Sequence, residues 1–287
     1  MKIKQKNTID MTHGTLWNKL LIFALPLAAS SILQQLFNSV DTAVVGRFAS
    51  SRALAAVGSN SSLIALMINL FIGISLGSNV IISRYIGQKA EEHVKAAIHT
   101  AIVVALCSGI FVLVLGQFIA RPVLTLMGTP KDVIDLAVLY LRIYFLGMPF
   151  IMLYDFSSSI LRSIGDSRRP LYALIAAGII NTGLNLILVI VFHLGVSGVA
   201  IATVVSNIVS SGILFYILLH EQEPIRVSLS GLSIDWCELK KILIIGVPAG
   251  LPPAISLGDT SLRSACVVST ITFHQWSGFC SARLPEA

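Results

Sequence analysis

Charge is the scarcest commodity in this chain. Asp, Glu, Lys and Arg make up 12% of its 287 residues, where soluble domains carry about 25%, and a surface that faces water on every side is excluded. Cysteine is rare as well. Cys107, Cys237, Cys266 and Cys280 have neither metal-ligand spacing nor the pattern of a disulfide framework, and Cys107 sits inside an apolar run. No nucleophile triad, phosphate-binding loop or metal motif is present, so the residues do not point to an enzyme. Polar stretches are few: after the N-terminus the first truly polar region is 221–240.

What fills the chain instead is hydrocarbon. Hydrophobic residues reach 55% and the mean hydropathy is +0.85, which identifies an integral membrane protein of the all-α polytopic class. A spanning helix needs about 20 mostly apolar residues, and the sequence predicts spans near 20–46, 56–82, 96–119, 133–160, 171–193 and 196–219, with a seventh beginning near 241. Several exceed the hydrocarbon thickness, so tilting or extension beyond the bilayer is expected. Lys2, Lys4 and Lys6 ahead of an apolar run resemble a secretory leader, but the run continues through Asp41 to Phe48 and five comparable runs follow. A retained first helix is the reading that fits.

The start of the first span then returns. KLLIFALPLA at 19–28 reappears as KILIIGVPAG at 241–250, with Lys19, Leu21, Ile22 and Pro26 recurring at Lys241, Leu243, Ile244 and Pro248. The expected plan is therefore a six-helix transporter lobe over 1–220, an interlobe linker over 221–240, and over 241–287 the start of a pseudo-symmetric second lobe. Repeats of this kind are a common transporter architecture, with the substrate path between the halves.

The formal charge of +6 raises the question of nucleic acid, and the distribution of the basic residues answers it. Lys2, Lys4, Lys6, Lys19, Arg84, Lys89, Lys95, Arg162, Arg168, Arg169, Arg226, Lys240 and Lys241 fall on one side of the predicted topology. Only Arg47, Arg52, Arg121 and Lys131 fall on the other. That bias predicts a multi-pass protein of the cell membrane with a cytoplasmic N-terminus, cytoplasmic 84–95, 161–170 and 221–240, and an external 120–131. No nucleic-acid partner is implied; the partner is the lipid bilayer.

Asp41 is the one acidic residue in the first apolar stretch, and an intramembrane carboxylate is a functional candidate by default. Ser30, Gln34, Asn38 and Asp41 share one helical face, which must look into the bundle or a wet cavity. The alternative is an interfacial Asp41, since it lies about 32 Å beyond Leu20 at about 1.5 Å per residue. Pro26, one turn before Ser30, removes a backbone hydrogen bond and permits bending. In the fifth span Asn181 and Asn185 are one turn apart, and in the sixth Thr203 and Asn207 are one turn apart. The connection 193–198 is so short that these two helices must be antiparallel neighbours. Their polar faces can meet each other and Asp41, holding Na⁺ with carboxylate, amide and hydroxyl oxygens or a proton on Asp41; interhelical hydrogen bonding is the competing reading. Gly73 and Gly77 in the second span predict close helix packing. Tyr140, Tyr144, Pro149 and Asp155 in the fourth either line a cavity or sit in the core and its margin.

These residues resemble the multidrug and toxic compound extrusion (MATE) transporters. The resemblance is carried by VDTAVVGRF (40–48) after a proline-bearing first half-helix, LRSIGDSRRP (161–170), NTGLN (181–185), GVAIAT (198–203) and IGVPAG (245–250), and covers about 15–250. It implies twelve helices in two lobes related by a pseudo-two-fold axis along the membrane normal, exchanging Na⁺ or H⁺ for amphipathic, often cationic drugs. It places Asp41, Asn181, Asn185 and Thr203 on a cation site, with Na⁺ as the possible metal, and Pro26 on the bend of helix one. Pro26, Gln34, Asn38, Tyr144 and Asn207 are the candidates for the substrate cavity and its gating. No cofactor beyond the coupling ion is implied. One departure matters: where some family members carry Asp in helix five, this chain has Asn185.

Two other functions compete with ion-coupled multidrug efflux. A lipid-linked saccharide flippase of a related family requires a cavity rich in positive charge, and Arg142 is the main intramembrane basic residue. A non-transporting membrane fragment, completed by a missing second lobe or an oligomeric partner, is the other. Beyond Gly250 the apolar pattern fails, Pro252 and Pro253 are expected to break the seventh helix, and 259–287 holds no run long enough to span. This predicts a frameshift or truncation near 251–262, a disordered tail, and a chain unable to transport by itself.

Overall fold

The computed structural model describes residues 16–228 and 231–255; the tail expected over 259–287 lies outside the described residues. Eight α-helices and no strand occur among them. In chain order they are α1 (Leu16–Phe48), α2 (Ser51–Gln88), α3 (Glu91–Leu126), α4 (Ile134–Leu146), α5 (Met148–Ser163), α6 (Arg168–Leu186), α7 (Gly195–Leu219) and α8 (Trp236–Ile255). The longest, α2 with 38 residues, extends about 57 Å at about 1.5 Å per residue, nearly twice the hydrocarbon thickness. Five helices are long and apolar enough to cross a membrane, and six spans result when α4 and α5 are counted as one.

That pair corresponds to the predicted span 133–160, and the structure bends it by 48°. The cause is local: Gly147 ends α4, and Pro149 cannot donate a backbone hydrogen bond to the preceding turn. The bend nests against α3 at Gly109, where a Cβ would stand 2.5 Å from the Cα of Pro149. Other ends are set by turn chemistry. Ser50 accepts from the Ala53 N–H at 3.2 Å to start α2, and Lys89 in the left-handed region (φ 57°) stops it. Asp166 Oδ1 accepts from the N–H groups of Arg168 and Arg169 at the start of α6.

Side-chain interiors from α2, α3, α4, α5 and α7 form the main core, with Ile82, Ile98, Leu141, Phe145, Phe156 and Leu214 among its fully buried members. The outside is just as apolar: Phe118 is 77% exposed and Leu126 87%. A protein that buries hydrocarbon and also displays it is solvated by lipid. Between helices, polar contacts fix register. Asn79 Nδ2 donates to the Ser159 carbonyl at 2.9 Å, Ser159 Oγ to the Ser75 carbonyl at 2.6 Å, and Asn60 Nδ2 to the Ala137 carbonyl at 2.9 Å.

The last residues of the expected linker 221–240 are helical, since α8 begins at Trp236. Asp235 Oδ1 accepts from the N–H groups of Cys237 and Glu238 and so caps the start of that helix. Before that point the region lies as a strap on the start of α3. Lys95 pairs with Glu223 at 2.7 Å, the Ser228 N–H donates to His99 Nε2 at 3.2 Å, and the Asp235 N–H donates to Thr100 Oγ1 at 3.0 Å. The strap's own Ile225 and Val227 are buried in the main core cluster.

Helix α8 also continues through Pro252 and Pro253 to Ile255, although these residues were expected to break it. A proline withdraws only its own N–H, and a helix supported along its length by a neighbour tolerates that loss. The support is α2, and the packing expected of Gly73 and Gly77 is observed. A Cβ on Gly73 would lie 2.2 Å from the Gly250 Cα, and one on Gly77 would lie 2.4 Å from the Ile242 carbonyl oxygen. Gly246 and Gly250 face them from α8, so the two backbones touch.

Candidate functional site

Asp41 lies two turns before the end of α1, Asn185 in the last turn of α6, and Thr203 two turns into α7. Since α6 and α7 run antiparallel, all three reach the same depth. Asn185 Nδ2 donates to Asp41 Oδ1 at 2.5 Å and to Asn181 Oδ1 at 3.1 Å. Thr203 Oγ1 stands 3.4 Å from Asp41 Oδ2 and 2.9 Å from the Val199 carbonyl. A hydroxyl has one hydrogen, so the nearer carbonyl takes it first and Asp41 Oδ2 is held weakly.

The bundle shields Asp41 rather than leaving it solvated. Its exposure is 8%, that of Asn181 5% and that of Asn185 0%. Toward the end of the bundle the site is closed by a second apolar cluster containing Val44, Val45, Val189, Val196, Val199 and Tyr140. No basic side chain pairs with Asp41 among the described residues. Asn185 Oδ1 is buried and has no hydrogen-bond partner. A buried carboxylate without a counter-charge, beside an acceptor without a donor, is an arrangement short of positive charge. The chain beyond Asn185 is also irregular. Residues Ile187–Val191 form a π-helical turn, a local widening often found beside functional side chains.

The remaining candidates are placed differently. Pro26 is buried and its carbonyl accepts from Ser30 Oγ at 2.8 Å. Asn207 Nδ2 donates to the Thr203 carbonyl at 2.8 Å, which extends the polar line one turn along α7. Tyr144 is half-buried and stacks on Tyr140, with ring centroids 6.1 Å apart. Gln34 and Asn38 share Asp41's face of α1 but are exposed; the structure does not bring them into the cluster. Tyr140 is the residue whose role sequence reasoning understated, since its ring belongs to the wall of the site. Its one-turn spacing from Tyr144 was the available signal, and that spacing is equally common in ordinary cores.

Residues 26–187 match the MatE family, and this stretch contains the bent fourth span, Asp41 and both asparagines.

The chain belongs to the MatE family.

It is 33% identical over 274 residues to the probable multidrug resistance protein YoeA of Bacillus subtilis (strain 168), covering 93% of this chain and 58% of that protein. It is 26% identical over 262 residues to the multidrug export protein MepA of Staphylococcus saprophyticus, covering 91% and 57% respectively. Among solved structures, a MATE crystal structure in the bent conformation superposes with a TM-score of 0.77 at 26% identity, over 83% of this chain and 53% of that one. The MatE chain thus spans a little over half the length of these relatives.

Proposed function

We propose that this chain forms the ion-binding lobe of a multidrug efflux antiporter, one that exports amphipathic, often cationic compounds in exchange for Na⁺ or H⁺. The observation that carries the reading is the pairing of Asp41, which lacks a counter-charge, with the partnerless Asn185 Oδ1. Both cations answer that deficit. A proton on Asp41 supplies a donor to the amide oxygen once the Asn185 side chain turns over. Na⁺ draws on the oxygens of Asp41, Asn181, Asn185 and Thr203, all of the hard type it prefers.

Coupling then follows from where those oxygens are mounted. They belong to three helices, so a bound cation pulls α1 toward α6 and α7, and an empty site lets α1 relax. A ligand shifts a conformational equilibrium only through its differential affinity for the two states, and a site shared between moving parts has that property. Pro26 gives α1 a point without a backbone hydrogen bond at which to bend. In this reading Gln34, Asn38, Tyr144 and Asn207 contribute to the substrate cavity and its gating; the exposure of Gln34 and Asn38 on the face of α1 that carries Asp41 supports it. The names of YoeA and MepA support the multidrug substrate class.

Melting of the detergent-solubilised chain across a Na⁺ series and a pH series tests the reading. Stabilisation by one cation, lost in Asp41→Asn, is expected. A melting temperature indifferent to both cations would refute it.

A further inference from the structure

At the basic end of the bundle, far along α2 from the ion cluster, three elements meet around one buried carboxylate. Glu238 in the first turn of α8 is 1% exposed. Tyr85 of α2 places its hydroxyl 2.8 Å from Glu238 Oε2 and 3.0 Å from Oε1. Lys241 Nζ donates to the same hydroxyl at 2.7 Å and to Glu238 Oε1 at 2.9 Å. The Tyr85 hydroxyl therefore accepts from the ammonium and donates to the carboxylate, closing a triangle. His93 of α3 stacks on the Tyr85 ring at 5.1 Å and sets Nδ1 3.4 Å from Glu238 Oε1.

Beyond this triangle the α2 and α8 backbones touch at Gly73, Gly77, Gly246 and Gly250, alongside the buried side chains of Ile74, Ile81 and Ile242. Interdigitated side chains resist rotation of one helix against another, because each must leave its pocket. The four glycines add no side chain to vacate, which leaves fewer pockets to clear than at a fully interdigitated contact. The polar side-chain contacts between α2 and α8 lie at one end of this seam, at Tyr85, Glu238 and Lys241.

The division of partners matters as much as their number. Glu238 and Lys241 are three residues apart on one helix, so the carboxylate keeps its cation wherever α8 goes. Separation of α8 from α2 at this end costs the bond to Tyr85 and the approach of His93, while Glu238 becomes hydrated. Had every partner been on α2 or α3, opening would strand a charge. The Asp235 N–H bond to Thr100 Oγ1 tethers the start of α8 to α3 and limits its travel.

We propose that Tyr85, Glu238 and Lys241 form a latch that closes the basic end of the α2–α8 seam, with the glycine stretch as the pivot on which it opens. The latch uses no residue of the Asp41 cluster. Its failure and that of the ion-binding reading are therefore distinguishable.

The test uses the full chain in detergent, with its four native cysteines replaced by serine and Ile242→Cys as reporter. Ile242 is fully buried and its carbonyl lies against Gly77, so a maleimide reaches this position only when the seam opens. Tyr85→Phe keeps the ring and its stack and removes the hydroxyl. A hydrogen bond to a charged group is worth about a factor of ten or more, so labelling should accelerate about tenfold. Leu141→Cys, fully buried in the core of the first six spans, serves as the second reporter and should label at its original rate. An unchanged rate at 242 overturns the latch. Equal acceleration at 242 and 141 also overturns it, because the cluster would then be a staple of the whole fold.

Discussion

Asn185 gives one amide group to two acceptors, Asp41 Oδ1 and Asn181 Oδ1, and its own buried oxygen receives nothing in return. The two residues are on different helices, so the amide both orients the carboxylate and couples α1 to α6. An orphaned buried acceptor is costly, and under the function proposed above a bound cation would relieve that cost.

The first prediction concerns the carboxylate. A ligand present at about 100 times its dissociation constant stabilises the folded state by about 2.7 kcal/mol. The unaltered chain should therefore melt several degrees higher in saturating coupling cation, and Asp41→Asn should show no such rise. Asn181→Ala, which removes one oxygen and leaves the charge, should retain part of it. The check is thermal melting followed by intrinsic fluorescence, and a full response in the Asp41 variant would remove Asp41 from the site.

Asn185→Asp adds a second carboxylate opposite the first. A unit charge about 4 Å from a bound cation contributes about 4 kcal/mol at an effective dielectric of about 20, partly offset by repulsion between the two acids in the empty site. Na⁺ affinity should rise about tenfold or more, measured by calorimetric titration at alkaline pH. The empty variant should melt below the unaltered chain. Equal Na⁺ affinities would show that Asn185 does not face the ion.

The glycine seam predicts a sharp contrast between substitutions of the same kind. Gly73→Ala places a methyl group against the Gly250 backbone, and overpacking of this type costs about 1–3 kcal/mol. Gly212→Ala, in α7 with nothing within 4 Å of the new Cβ, should be neutral or stabilising, since alanine is the better helix former by up to about 1 kcal/mol. Melting of the two variants side by side decides it. Similar behaviour of both would mean that α8 does not sit on α2 as described.

Orientation is checked with single cysteines in a cysteine-free background. Gln88, at the end of α2, and Thr129, between α3 and α4, lie at opposite ends of the bundle. Gln88→Cys should label only from the cytoplasmic side and Thr129→Cys only from outside. Labelling of both from one side contradicts the topology drawn from the basic residues.

Much of the fold was legible because lipid imposes it. A chain that must satisfy its backbone in hydrocarbon has few options beyond helices, and the hydropathy of 171–193 or 196–219 needs no partner to declare a span. The bend inside 133–160 was less visible. Gly147 and Pro149 permit a kink, but the contact with Gly109 that receives it lies on another helix. Likewise Pro252 and Pro253 read as helix breakers while the chain was considered alone, and α2 supplies the support that keeps α8 helical.

Asp41, Asn181, Asn185 and Thr203 could be nominated from the sequence, since an intramembrane acid and paired amides are rare enough to stand out and a short turn forces α6 beside α7. What distinguished a site from a set of polar residues was their common depth, the Val44 and Tyr140 wall, and the unpartnered oxygen of Asn185, all of which depend on three helices arriving together. Gln34 shows the limit, for it shares Asp41's helical face and remains exposed, with no helix among the described residues covering it. Nothing local marks Tyr85 and Glu238 as partners. They are separated by 153 positions, and only the packing of α8 on α2 turns an ordinary tyrosine and an ordinary helix-start glutamate into a buried pair. Hydrophobicity and periodicity are properties of a segment and travel with the sequence; a pairing across the bundle is a property of the packed state, and the packed state decides it.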